Sequence, residues 1–151
     1  MKNFKNIDEI FDFAINAEQE AVDFYNSLSR KSNNDDMKNT FEQFAREEMG
    51  HKARLISIKE SGVFEMESKV IEDLKISDYM VDVKPTGEMS YQDALVVAMK
   101  KEKAAFRLYS NLAKKAPTDD VRMVFLSLAQ EEAKHKLRFE LEYDDNVLKE
   151  N

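Results

Sequence analysis

Only two histidines occur in the 151 residues, and each closes the same short pattern. Glu48 precedes His51 by three positions, and Glu132 precedes His135 by three. On a helix, residues i and i+3 share a face, so each pair can offer a carboxylate and an imidazole to one ion. Glu18 and Glu102 add one carboxylate each. Carboxylate and imidazole donors suit iron, manganese and zinc. Four carboxylates against two divalent cations, with neutral imidazoles, give a balanced site. The chemistry these residues point to is a pair of bound metal ions, with Glu18, Glu48, His51, Glu102, Glu132 and His135 as ligands.

The elements that position them read as helices with one buried stripe each. In the second segment the stripe steps through 37, 41, 44, 48, 51, 55 and 58; in the fourth it steps through 121, 125, 128, 132, 135 and 139. Glu48 with His51, and Glu132 with His135, fall in the middle of these apolar stripes. Glu18 lies one turn from Ala14 and Ala21, and Glu102 lies between Ala98 and Ala105, so both also face inward. Buried, mutually close carboxylates cost several kcal/mol each unless protons or cations compensate. A single Glu-x-x-His on a helix is usually a solvated pair. Two in register, on buried stripes with partner glutamates, are not explained that way.

The register comes from an internal repeat at an offset of 84 residues. Laying residues 7–60 on 91–144 without gaps gives 15 identities in 54 positions. They include Glu18/Glu102, Tyr25/Tyr109, Phe41/Phe125, Glu47/Glu131, Glu48/Glu132 and His51/His135. Shared apolar spacing would match alanines and leucines, but not the only two histidines. Glu47 and Glu131 lie one step off the stripe and read as surface groups or as partners of the ligands. Tyr25 and Tyr109 follow Glu18 and Glu102 by two turns. They read as core tyrosines with a hydroxyl partner, or as donors to a ligand carboxylate or redox-active groups beside the metals.

Four helices are predicted, over about Asn6–Arg30, Asp35–Glu60, Tyr91–Ala116, and from after Pro117-Thr118 to roughly Tyr143. Asn6 with Glu9 resembles a capping box, Ser90 opens the third helix, and Gly62 is a stop signal for the second. Short loops make helices one and two antiparallel neighbours, and likewise three and four. Residues 63–89 form a long crossover connection, with room for a short helix within Glu65–Tyr79. The expected fold is all-α: one domain over 1–151, a four-helix bundle of two repeated hairpins (about 7–60 and 91–144).

Composition agrees. There are 42% hydrophobic and 35% charged residues, with only 3 Gly and 2 Pro, which disfavours hairpin-rich folds. The formal charge of -7 attracts cations and argues against nucleic acid as a partner. Lys100, Lys101 and Lys103, like Lys134 and Lys136, read as solvated helix faces. The eight methionines read as core filler. No cysteine is present, which excludes thiolate sites and disulfides. The opening residues are too polar for a secretory signal, and the apolar run Ala94–Met99 is too short for a bilayer, so the expected location is cytoplasmic with no membrane partner.

The segments Ala-Glu-Gln-Glu-Ala-Val-Asp-Phe-Tyr (17–25), Glu47-Glu48-Met49-Gly50-His51, Glu102 ahead of Tyr109, and Glu131-Glu132-Ala133-Lys134-His135 resemble the rubrerythrin family of the ferritin-like superfamily, over about residues 7–144. The resemblance implies a di-iron centre, with Glu48 and Glu132 bridging and the other ligands terminal; zinc or manganese are possible substitutes. It implies reduction of hydrogen peroxide, or oxidation of ferrous iron by oxygen or peroxide. The alternative is a non-catalytic iron-binding or iron-storage protein. Classical members carry a four-cysteine rubredoxin domain. Without cysteine, the electron donor here would be a separate rubredoxin-like protein or a small reductant. They also carry a further glutamate three residues after the third-helix ligand, where this chain has Ala105, matching Ala21. A homodimer is implied, and swapped and unswapped helix pairings both fit the long connection.

Overall fold

The computed structural model describes residues 4–65, 71, 74–81 and 89–150. Four helices carry the fold: α1 (Ile7–Lys31), α2 (Asp35–Ser61), α3 (Tyr91–Lys114) and α4 (Asp119–Glu150). Each begins where a side chain satisfies the free amides of its first turn. Asn6 accepts from the Glu9 amide at 2.9 Å. Asn34 accepts from Asp36 and Met37, Ser90 from Asp93, and Thr118 from Val121. The predicted capping box is half formed: the Glu9 carboxylate takes the Lys5 amide at 2.6 Å.

Two ends differ from the sequence expectation. α3 stops at Lys114, because Pro117 disfavours helical backbone at the residue before it. α4 continues past Tyr143 to Glu150, since no Gly or Pro interrupts it; the Asn146 side chain bonds back to the Glu142 carbonyl at 2.9 Å. α2 ends as expected at Gly62, whose φ of 68° is a left-handed conformation that suits glycine.

α1 packs along α2 and α3 along α4, each an antiparallel hairpin, while α1 and α3 meet more sparsely. Two apolar clusters fill the bundle. One joins Ile10, Phe11, Leu55, Leu108, Leu112 and Phe125, from the start of α1 and the end of α3. The other joins Val22, Leu28, Met37, Phe41, Leu95 and Phe139, from the opposite ends. Phe41 and Phe125, equivalent in the repeat, lie in different clusters. The two hairpins are therefore related by a rotation that exchanges the ends of the bundle.

From the crossover, Phe64, Ile71, Leu74 and Tyr79 are buried in the first cluster. The Tyr79 hydroxyl accepts from Asn111 at 2.8 Å. Its described part holds one 3-10 turn, Ile76–Asp78. A short helix over Glu65–Tyr79 would fall largely on 66–70 and 72–73, outside the described residues.

Two compositional expectations are corrected. Met37 is core, but Met49, Met80 and Met123 are more than half exposed. Lys101 is not solvated: its side chain is 15% exposed, held among α1 and α3 groups.

Candidate metal centre

α1 supplies Glu18, α2 Glu48 and His51, α3 Glu102, and α4 Glu132 and His135. All six are at most 2% exposed. They lie between the two apolar clusters, where the interrupted stripes of the sequence meet. His51 Nδ1 stands 2.8 Å from Glu132 Oε1, 3.2 Å from Glu48 Oε1 and 3.7 Å from Glu18 Oε2. His135 Nδ1 stands 3.4 Å from both Glu48 Oε1 and Glu102 Oε1. The two imidazoles are nearly parallel, with centroids 6.4 Å apart.

The far nitrogen of each ring is held from the other hairpin. His51 Nε2 is 2.5 Å from Glu131 Oε2, and His135 Nε2 is 2.7 Å from Glu47 Oε2. A proton on Nε2, donated to a carboxylate, leaves the Nδ1 lone pair free for an ion. The tyrosines cross in the same way: Tyr109 donates to Glu18, and Tyr25 to Glu102. Glu18 and His51 of one repeat, and Glu102 and His135 of the other, are thus each fixed by a residue of the opposite repeat. Phe44 stacks on the His135 ring at 3.9 Å and restricts its rotation.

With these bonds made, one atom on each residue has no hydrogen-bond partner. They are Glu18 Oε2, Glu48 Oε1, His51 Nδ1, Glu102 Oε2, Glu132 Oε1 and His135 Nδ1. Buried polar atoms are rarely left so, because each costs about 1–3 kcal/mol. Ligand atoms form two overlapping sets, each within 4.8 Å: Glu18, Glu48, His51 and Glu132, and Glu48, Glu102, Glu132 and His135. The residues fit two ions, with Glu48 and Glu132 common to both sets.

Electrostatics state the same need. Burial, then Glu48, pushes the Glu18 carboxyl up to about 8. Burial raises Glu102 and Glu132 as well, with further repulsion from neighbouring carboxylates. Burial works against ionised Glu48 too, but the His135 and His51 imidazoles beside it outweigh it and hold that carboxyl below the usual range. Burial opposes charge on the imidazoles, yet the surrounding carboxylates raise His51 to about 10 and His135 to about 11. Without cations, the cluster keeps protons it would otherwise release.

The sequence profile of the rubrerythrin family matches residues 9–90 and 93–151. The chain belongs to the rubrerythrin family. Its fold is similar to that of a Thermotoga maritima protein described as ferritin-like and diiron-carboxylate, with a TM-score of 0.76 at 18% identity over 97% of this chain and 99% of that one. A hypothetical protein of Pyrococcus furiosus is similar at a TM-score of 0.72, with 26% identity over 90% of this chain and 87% of that one. No curated protein matches the sequence.

Within this rubrerythrin-type bundle, all six proposed ligands come together from one chain. Tyr25 and Tyr109 bond to ligand carboxylates, and they also pack in the apolar clusters. Glu47 and Glu131 prove to be histidine partners; their identity across the repeat was the signal, but their off-stripe position left the choice open. Ala105, where classical rubrerythrins carry a glutamate, lines a cavity with its repeat equivalent Ala21. Nothing in the sequence marked that cavity, because its walls come from α1, α3 and the crossover.

Proposed function

We propose that this chain is a di-iron carboxylate oxidoreductase that reduces hydrogen peroxide or oxygen, of the peroxidase or ferroxidase type. The observation that carries it is the set of six unpartnered buried atoms, in two groups that share Glu48 and Glu132. Bound there, iron supplies the electrons for reduction and the positive charge that stabilises reduced oxygen. Family membership supports iron as the metal.

The chain's own groups have defined tasks. Glu48 and Glu132 would be shared by the two ions, while Glu18 with His51, and Glu102 with His135, would hold one ion each. Glu131 and Glu47 keep the imidazole protons on Nε2, so Nδ1 stays a ligand. Tyr25 and Tyr109 keep their protons: burial first, then nearby carboxylates, hold both hydroxyls well above the usual tyrosine range. The apolar clusters exclude water from both ends of the layer. In this reading a separate rubredoxin-like protein or a small molecule serves as reductant.

Anaerobic loading with two equivalents of Fe(II), followed by hydrogen peroxide, tests this. The expected result is stoichiometric peroxide loss with a rise in near-ultraviolet absorbance, repeated on adding a reductant. Peroxide loss no faster than with the same iron in buffer would overturn it.

A further inference from the structure

A cavity of about 970 Å³ lies between α1, α3 and the crossover, and the carboxylates of the metal centre form part of its wall. Dioxygen and peroxide need nothing so large; the volume is at the upper end for small-molecule sites. Its lining follows α1 from Phe13 to Lys31, a length of about 27 Å at the helical rise. Spread over that length, the volume leaves a mean cross-section of about 36 Å². The space is therefore long and narrow.

Away from the metal-centre carboxylates the wall is mainly apolar, with Asn16, Glu20, Asp23, Ser27 and Lys31 of α1 set into it. Ala14, Ala17 and Ala21 on α1 and Ala94, Ala104 and Ala105 on α3 line it, and their small side chains leave the space unfilled. Among the described crossover residues, Tyr79, Met80, Val81 and Met89 also line it, the two methionines flexible and adaptable. One cation stands in this wall with most of its side chain withdrawn from water. Lys101 Nζ is 5.8 Å from the centre of the Phe24 ring, and its ion-pair partner Glu20 is 3.9 Å away. Both partners also line the cavity. Its Nζ is thus a withdrawn cation in the cavity wall, held among the described residues only by the Phe24 face and a mostly exposed carboxylate, and a carboxylate head group could pair with it there.

We propose that this cavity binds an elongated aliphatic monocarboxylate, its chain lying in the alanine trough beside the metal centre and its head group at Lys101. The proposal rests on the metal-centre reading only for what lies beside the chain. Apart from Glu18, Glu48, Glu102 and Glu132, the groups that line the cavity are not ligands.

Titration calorimetry with dodecanoate, below its micelle concentration, tests it on Co(II)-loaded and on metal-free protein. One saturable site is expected. In the A21F/A105F variant the affinity should fall at least about tenfold. K101M should weaken dodecanoate but not dodecanol. Dodecanoate should also shift the visible spectrum of the Co(II) form, since the chain lies against the ligand carboxylates. Absence of saturable binding, or binding unchanged in A21F/A105F, would overturn the proposal. If circular dichroism shows that variant unfolded, wild-type affinity in both K101M and A105L would overturn it instead. Failure to take up Co(II) with dodecanoate binding intact removes the metal reading and leaves the cavity. Co(II) uptake without dodecanoate binding does the reverse.

Discussion

At the scale of single residues, the six proposed ligands would differ in how many ions depend on them. His51 serves one set, so His51→Ala should retain one tight ion of two. Glu132 belongs to both, so Glu132→Ala should lose both. Equilibrium dialysis with elemental analysis distinguishes these outcomes, and equal losses would contradict the bridging role. Glu131 touches no ion, yet it fixes the His51 ring at Nε2. Glu131→Gln should weaken metal binding about 10- to 100-fold, the usual effect of removing such a partner. Competition with a chromophoric chelator reads that loss directly. The ligand types were legible in the sequence, because two histidines in matched patterns are hard to produce by packing alone. The partners were less legible. Which side chain reaches an imidazole from the other hairpin depends on how the hairpins dock.

At the scale of elements, local chemistry sets the helix boundaries and long-range packing sets their faces. The Asn34 side chain accepts two amides at the start of α2, so Asn34→Ala should cost about 1 kcal/mol. Phe125 is fully buried against Phe11, Phe64 and Tyr109, and Phe125→Ala should cost about 3–5 kcal/mol. Urea denaturation of both variants tests the contrast. A Phe125 loss no larger than the Asn34 loss would mean the first cluster does not hold the bundle. Sequence located all four helix starts and the Gly62 stop within a residue or so, since caps are local. It misplaced the end of α4, where no local stop exists and the helix simply continues.

At the scale of the whole molecule, the polar layer makes stability depend on protons and metal together. The Glu18 carboxyl is raised from 4.5 to about 8, so its contribution is full below about pH 4.5 and is lost as pH rises through 8. His51, raised from 6.5 to about 10, and His135, raised to about 11, contribute fully below 6.5 and lose this through 10 and 11. The signs agree, and metal-free protein should be more stable at pH 5 than at pH 9. Glu48, held low, has the opposite sign and limits stability only in acid. Metal reverses the trend, because bound ions replace these protons and bind better as pH rises. At a free metal concentration of 100 times Kd, one site adds about 2.7 kcal/mol. Urea midpoints at both pH values, with and without Fe(II) under argon, check both signs. A metal-free midpoint that rises from pH 5 to pH 9 would contradict the protonated cluster.

The sequence by itself determined the helical class, the two-fold repeat and the six candidate ligands that the fold brings together, because periodicity and residue type record what each helix must bury. It also carried the crossing tyrosines as candidates, since their spacing places them on the ligand face. Only the tertiary structure decided that each hairpin holds the other's ligands, that Glu47 and Glu131 turn inward to the imidazoles, and that Lys101 leaves the solvent. It alone shows the long cavity over the centre. These features arise between segments distant in the chain, where docking distance and angle, not local pattern, choose the contacts.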